Sequence, residues 1–582
     1  MGGVINIITT TPKKREASAW IGYGGDDSKR YGAAMGDRFA DRLSVSWGVE
    51  GEETGGYPTS LVTRPISKGN GDIYGGYPTQ STSGAPMWVV GDTGDNTARR
   101  LNLNLKAVYD YSRTGSLGVE LQSGRHEYGY DPPHTYLSDR NGRGPVFSGK
   151  TDAWGSGYAG VSPSNYIAYT GNSEKTFNLY AVTYKEDSGL FNFTGRLGYE
   201  HKNFCYTSSS GARDQDYWNA PGTKSDADYD SWFSDLQANA PIGEKHLVTL
   251  GFYSRGDEYD GGGYDLAFYR DEDSRVRKTD ITRGKARSYA LYVQEEWRPI
   301  ESVTLYGGVR ADFWNAYDGM SGPVSELERF NESSDSSVSP KASAVWNPLK
   351  DTYLRTSIGE AFRPPTLYEL YRTWSWSAGT YHSNPDLGPE TLWNYEAGLD
   401  QYLLDRRLRL SVTAYHTDAY DLISTYWVGR DNYKDNLSRA RINGIELEAD
   451  VTPVKWLRFW GNYAYNQTEA IKNRRNPAAD GKRLAGYPVM VMNLGAEVTY
   501  RWVKANIAGQ YLGRTYASEL NDDVQDVYGV NSRCWLWDTK LTMTPVKHIE
   551  FSFSVENMFN QGYFEYYKGP GRIYWTQLKY VW

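Results

Sequence analysis

The chain has 582 residues, 63 basic and 71 acidic side chains and a formal net charge of −8, with a mean hydropathy of −0.66. A mildly acidic chain without a Lys/Arg block gives no electrostatic reason to expect nucleic acid, and two distant cysteines, Cys205 and Cys534, exclude a disulfide scaffold and a Cys-based metal cluster. No 18 apolar residues run together, which excludes an ordinary transmembrane helix but not a barrel, whose strands alternate lipid-facing and lumen-facing side chains.

Aromatic residues make up 15% of the chain, more than a soluble sandwich needs, and they mark segments of period two. In chain order, Leu101, Leu103, Leu105 and Ala107 alternate with Asn102, Asn104 and Lys106, and Leu408, Leu410, Val412 and Ala414 with Arg409, Ser411 and Thr413. Tyr463 and Tyr465, then Trp535 and Trp537, place amphipathic rings near strand ends, and Ile549, Phe551, Phe553 and Val555 alternate with Glu550, Ser552 and Ser554. Each pattern predicts a strand with one dry and one wet face. Tight turns are predicted at 37–41, 111–115, 187–189, 241–244, 299–302, 347–351, 404–406, 452–455, 500–502 and 544–547. Long polar segments lie between them at 52–98, 127–172, 202–226, 257–282, 362–389 and 469–487. Ten short turns predict an all-β fold of 22 antiparallel strands from about Ala17 to Trp582. Short turns on one side and long loops on the other are the asymmetry of an outer-membrane barrel, in the size class with a plugged lumen. The last strand sets Tyr574, Thr576, Leu578, Tyr580 and Trp582 on one face, and its terminal aromatic resembles the tag read by the outer-membrane assembly machinery.

Three stretches carry a family resemblance. Gly2-Gly3-Val4-Ile5-Asn6-Ile7-Ile8-Thr9 resembles the last plug strand of TonB-dependent outer-membrane receptors. Phe362-Arg363-Pro364-Pro365-Thr366-Leu367-Tyr368-Glu369-Leu370-Tyr371 and Asn384-Pro385-Asp386-Leu387-Gly388-Pro389-Glu390-Thr391 are similar to the paired boxes around one outer loop of that family. The resemblance implies a 22-stranded antiparallel transmembrane β-barrel over residues 13–582, with the last plug strand and linker at 1–12 and the plug otherwise largely absent from this chain. It implies a monomer in the outer membrane of a Gram-negative bacterium, in contact with outer-membrane lipid and lipopolysaccharide. The implied activity is uptake of a ferric siderophore, energised by the TonB-ExbB-ExbD complex through the plug, with no resident cofactor. Cobalamin or haem is the alternative ligand within the family, and a passive diffusion channel is the alternative outside it. The family's signal, coupling box and most of its plug precede a stretch like Gly2–Thr9, so the complete protein is expected to be longer at the amino end. No Gly-rich phosphate loop ahead of a helix, His-Glu-x-x-His or Gly-x-Ser-x-Gly is present, and no enzyme is expected.

Physically, the first box stops a strand with two prolines and starts a helical turn with the capping pair Thr366 and Glu369. In the bland reading Phe362, Arg363, Pro364, Asn384, Pro385, Leu387 and Glu390 hold the base of one loop; in the sharper one Arg363 or Glu390 touches substrate. Between the boxes, Arg372, Trp374, Trp376, Tyr381 and His382 are the first candidates for ligand contact, because exposed aromatics are costly without a partner; packing against neighbouring loops is the alternative. The resemblance also offers His382 as an axial haem ligand, although it lies late, two residues before Asn384. A second set, Arg125, Tyr128 and Tyr130, with His126, His134 and Arg140 nearby, offers charge and stacking faces to an anionic aromatic chelate such as a ferric catecholate. Trp88, Arg99 and Arg100 are candidates of the same kind, although paired arginines beside a strand start are more often interfacial anchors. Asp257, Asp260 and Asp265, with Asp226, Asp228, Asp230 and Asp271 to Asp273, are weak calcium candidates on mobile loops, where solvated acidic loops are the default.

Overall fold

The computed structural model describes residues 11–168, 170–210, 214–376 and 379–582; the stretch Gly2–Thr9 lies outside the described residues, as does the side chain of Trp376. Alternating sequence yields long strands, here β1 (Glu16–Gly24), β2 (Ser28–Phe39), β3 (Leu43–Thr54), β4 (Asn96–Asp110), β5 (Gly115–Tyr130), β6 (Ser173–Asp187), β7 (Asn192–Ser209), β8 (Gly222–Ile242), β9 (His246–Leu266), β10 (Arg275–Ile300) and β11 (Val303–Pro323). They continue as β12 (Ser333–Leu349), β13 (Thr352–Arg363), β14 (Glu390–Leu403), β15 (Leu408–Val428), β16 (Asp431–Val454), β17 (Leu457–Asn473), β18 (Met490–Tyr500), β19 (Val503–Leu512), β20 (Cys534–Val546), β21 (Ile549–Glu556) and β22 (Ile573–Val581). Each pairs antiparallel with the next, and β1 pairs with β22 from Ser18↔Val581 to Gly24↔Trp575, so 22 strands close into a barrel without a free edge. All ten short turns fall where the sequence places them. No helix of the described residues is long and apolar enough to cross a membrane.

Period two decides which side chain meets lipid. Leu101, Leu103 and Leu105 of β4 lie directly across from Arg125, Ser123 and Leu121 of β5, on the exposed apolar face that Leu117, Val119, Val182 and Leu197 extend. Asn102 and Asn104 point to the lumen instead. Leu103→Arg is therefore expected to cost about 2–4 kcal/mol in a bilayer unfolding titration, whereas Asn104→Arg on the lumen face should cost far less.

Two predicted loops are in large part strand. Residues 202–209 and 222–226, and 257–266 and 275–282, continue the ladders of β7 to β10 well above the apolar band, and β8 pairs with β9 without a break from Ile242↔His246 to Gly222↔Leu266. Above the hydrocarbon both faces of a strand meet polar surroundings, so the hydrophobic alternation disappears while the hydrogen-bonded ladder persists. The same holds for His126 to Tyr130, which belong to β5. Not every distal connection is long, either: residues 25–27 and 429–430 are tight links. The long segments 55–95 and 131–172 fold onto each other around a satellite core that includes Val62, Ile73, Trp88, Val90, Leu137 and Tyr166.

Candidate functional site

After Arg363 the two prolines end β13, and helix α1 (Leu367–Tyr371) starts with the predicted capping box: Glu369 N donates to Thr366 Oγ1 at 3.2 Å, and Thr366 N to Glu369 Oε2 at 2.8 Å. Leu367, Leu370 and Tyr371 pack with Ala227, Tyr259, Ala286, Trp314, Ala316 and Leu387, so α1 lies against the inner wall near the distal ends of β8 to β11. Tyr371 is 1% exposed. Its ring covers Gly284 of β10 and Gly319 of β11, where an added Cβ would come within 2.4 Å of it, and Phe330 stacks on it at 5.6 Å.

The boxes meet at Arg363. Its Nε donates to Glu390 at 2.6 Å and its Nη1 and Nη2 to Glu369 at 3.1 and 3.3 Å, while Glu390 Oε1 accepts from the backbone N of Ile423 at 2.7 Å. Burial alone pushes the Glu369 carboxyl up, but the hydrogen bonds from Arg363 and Thr366 outweigh it and hold Glu369 below the usual carboxylate range. Asn384 Nδ2 donates to Lys434 O at 2.9 Å, and Leu387 is buried. The arrangement is a brace joining β13, β14, β15, β16 and α1. Arg363 and Glu390 spend their polar atoms within it.

Between the boxes, Trp374–Trp376 and Gly379–Tyr381 form a short hairpin. Trp374 stacks on Tyr381 at 4.5 Å, Tyr381 meets the edge of Trp427 at 5.8 Å, and His382 stacks on Tyr433 at 4.5 Å with Nε2 3.5 Å from Asp431. These rings pack against β15 and β16 and one another, which is how this exposed sequence meets the cost of its aromatics.

Arg372 points elsewhere. Its Nη2 donates to Ser225 Oγ of β8 at 2.6 Å, and its guanidinium lies 5.0 Å from the ring centre of Tyr368, while Lys434 Nζ of β16 lies 4.7 Å from that same centre. Among the described residues neither cation forms an ion pair. Tyr229 of β8 continues this surface along the inner wall, backed by the buried Tyr259 directly opposite on β9, 4.8 Å away between ring centres. The sequence reading missed Tyr368, Lys434 and Tyr229 as site residues: Tyr368 stood inside a box read as structural, and only strand register brings the other two to it.

The remaining candidates disperse. Trp88 is 2% exposed, donates to Gly75 O at 2.9 Å and belongs to the satellite core, beyond reach of a ligand. Arg125 sits on the outward face of β5, paired with Glu127 at 2.6 Å and Glu174 at 2.8 Å, whereas Tyr128 and Tyr130 lie on the opposite, lumen-side face of that strand. His134 Nδ1 is 2.9 Å from Asp92. Of the calcium candidates, Asp257, Asp260 and Asp265 lie on β9 and Asp226, Asp228 and Asp230 on β8, and only Asp271 to Asp273 lie in a connection between strands. Alternation sends Asp257 to the inner and Asp260 to the outer face, and Asp257, Asp260 and Asp265 pair with Arg255, Arg283 and Arg277 at 2.8, 3.0 and 2.5 Å. They do not converge, and among the described residues no three metal-ligating side chains gather.

The sequence model of the family described as TonB dependent receptor-like, beta-barrel, matches residues 110–558. The chain is 24% identical over 363 residues to the iron-regulated outer membrane virulence protein of Vibrio cholerae serotype O1, covering 58% of this chain and 49% of that protein. It is 24% identical over 295 residues to the metal-pseudopaline receptor CntO of Pseudomonas aeruginosa (50% and 39%), and 22% identical over 322 residues to the catecholate siderophore receptor Fiu of Escherichia coli (50% and 41%). The chain thus spans about half the length of these curated relatives or less. Among solved structures it is similar in fold to the ferric citrate transporter FecA, with a TM-score of 0.71 at 13% identity over 99% of this chain and 79% of that one. It is likewise similar to the ferric yersiniabactin uptake receptor FyuA of Yersinia pestis, with a TM-score of 0.70 at 15% identity over 100% and 82%. A closed 22-stranded barrel, the paired boxes braced at Arg363 and a family match over most of its length together establish that this chain belongs to the TonB-dependent receptor-like β-barrel family.

Proposed function

We propose that the protein captures a ferric siderophore at the outer mouth of its barrel, as the receptor component of TonB-energised uptake across a Gram-negative outer membrane. In this reading residues 1–12 end a plug, residues 13–582 are the barrel, and the TonB-ExbB-ExbD complex acts through the plug. The observation that carries it is Tyr368 held between Arg372 and Lys434 beside Tyr229. Two cations without a carboxylate partner, around stacking faces, suit an anionic chelate with flat donor groups. The relatives named as an iron-regulated outer membrane virulence protein, a metal-pseudopaline receptor and a catecholate siderophore receptor support the substrate class. No bond is made or broken. Binding at nanomolar strength lies about 12 kcal/mol below the standard state, so release requires work.

The test is a fluorescence titration of the full-length receptor against ferric siderophores, cobalamin and haem. Saturable quenching by a ferric chelate is expected, weakened about tenfold by Arg372→Gln and about tenfold by Lys434→Gln. Saturation by cobalamin or haem alone would remove the siderophore reading, and solute flux without saturable binding would favour a passive channel.

A further inference from the structure

The inner wall between β4 and β8 carries a second constellation, built by register. Arg100 lies opposite His126, His126 opposite Lys175, and Lys175 opposite Phe204. In the neighbouring row Asn102 faces Gly124, Gly124 faces Phe177, Phe177 faces Lys202, and Lys202 faces Tyr229. Side chains opposed across an antiparallel ladder share one face. That face is the lumen, because Leu103, Tyr180, Tyr199 and Trp232, at the intervening positions, lie on the exposed lipid side.

The two lysines and two phenylalanines form a crossed square: Lys175 Nζ lies 5.4 Å from the ring centre of Phe204, and Lys202 Nζ 5.8 Å from that of Phe177. With Arg100 and His126 they line a cavity of about 420 Å³, within the range of about 300–1,000 Å³ typical of small-molecule sites. Nearby carboxylates offset the positive charge only in part. Lys202 is paired with Glu200 at 2.7 Å, but Arg100 meets Glu52 only at 4.0 Å, and Lys175 forms no ion pair among the described residues. Tyr229 belongs both to this cavity and to the tyrosine pair beside Arg372, so the wall is continuous with the mouth.

We propose that this Lys175–Phe177–Phe204–Lys202 patch is a charge-selecting station, and that the chelate it takes is multiply anionic with aromatic donor groups, a tris-catecholate rather than a neutral tris-hydroxamate. The inference rests on the siderophore reading above and narrows it. A ferric tris-catecholate has surplus negative charge on ring oxygens at the rim of flat rings. The lysine ammoniums meet the oxygens and the phenyl faces meet the rings, each group doing what the other cannot. A neutral hydroxamate chelate presents neither, and would leave the unpaired Lys175 ammonium to be desolvated without recompense.

The test compares two hexadentate ferric chelates, a triply anionic tris-catecholamide and an uncharged tris-hydroxamate, by titration of the receptor in detergent. The catecholamide is expected to bind at least about tenfold tighter, and its affinity alone should fall with added salt. In Lys175→Gln, Lys202→Gln the preference should be lost, most of it through the unpaired Lys175, while hydroxamate binding stays unchanged. Heat-modifiable migration on a gel reports whether the variant barrel is folded. If it is not, the salt dependence of the unsubstituted protein decides, and a flat one overturns the proposal. Saturable binding of both chelates with equal affinity, or preference for the hydroxamate, overturns the charge station and leaves the siderophore reading standing. Absence of saturable binding by either overturns both.

Discussion

Replacing Arg363 by alanine is expected to free the segment 364–389 while the barrel stays closed. Among the described residues Arg363 alone joins Glu369 of α1 to Glu390 of β14, and its removal leaves two mostly buried carboxylates, 21% and 14% exposed, without that cation. Breaking a fully buried pair from one side costs about 3–5 kcal/mol; the guanidinium here is 44% exposed, which screens it and reduces the local cost to about 1–2 kcal/mol. That is enough to raise the open population of the loop by about five- to thirty-fold, which hydrogen exchange over 364–389 reads directly. Arg363→Lys should behave almost as badly, because an ammonium lacks the planar fork that serves two carboxylates at once. The pH dependence has a definite sign. Glu369 is held below its ordinary value of 4.5, so its contribution is complete above that value and is lost as pH falls through the lowered one. Without Arg363, burial is the largest influence left and raises the carboxyl, moving loop release to higher pH. Unchanged exchange in Arg363→Ala would sink the brace.

How much of this was legible beforehand follows from where the hydrocarbon is. Inside the membrane band each strand has a greasy face, so Leu101, Leu103 and Leu105 or Ile549, Phe551 and Phe553 declare their period and the count of 22 follows from the turns between them. Above the band the same strands run on with Asp228, Asp230, Glu258 and Asp260 on the outward face, and sequence alone cannot distinguish such a polar ladder from a loop. Local chemistry remained readable: Thr366 and Glu369 cap α1 as their spacing requires. Of the proposed binding wall only Arg100, His126 and Arg372 stood out, because its residues come from β4, β5, β6, β7, β8, α1 and β16 and are adjacent only through register. Trp88 shows the converse error. An isolated tryptophan in a Gly-rich segment looks exposed until Val62, Ile73, Leu137 and Tyr166, from two distant stretches, are seen to bury it.

The largest single effect is expected from Gly319→Val. Glycine in a strand is usually a weakness, since it spends backbone entropy and packs nothing, and a β-branched residue on β11 should favour the ladder itself. Here the missing side chain is filled by another residue: a Cβ at Gly319 would stand 2.4 Å from Cε1 of Tyr371, and one at Gly284 2.4 Å from Cδ2. The ring cannot slide aside, because those two backbones and Phe330 enclose it. Valine at Gly319 must therefore expel Tyr371, and losing a fully buried aromatic costs about 3–5 kcal/mol. The barrel's ladder does not depend on that contact, so the cost falls on α1. Tyr368, three residues earlier on the same short helix, would leave its place between Arg372 and Lys434, and chelate affinity should fall by two orders of magnitude or more with the barrel still heat-modifiable. A double-mutant cycle isolates the cause: in Tyr371→Ala, which already lacks the ring, Gly319→Val should add almost nothing. Full additivity of the two substitutions would mean that the glycine and the ring act separately, and full affinity in Gly319→Val would mean that α1 does not carry the capture site.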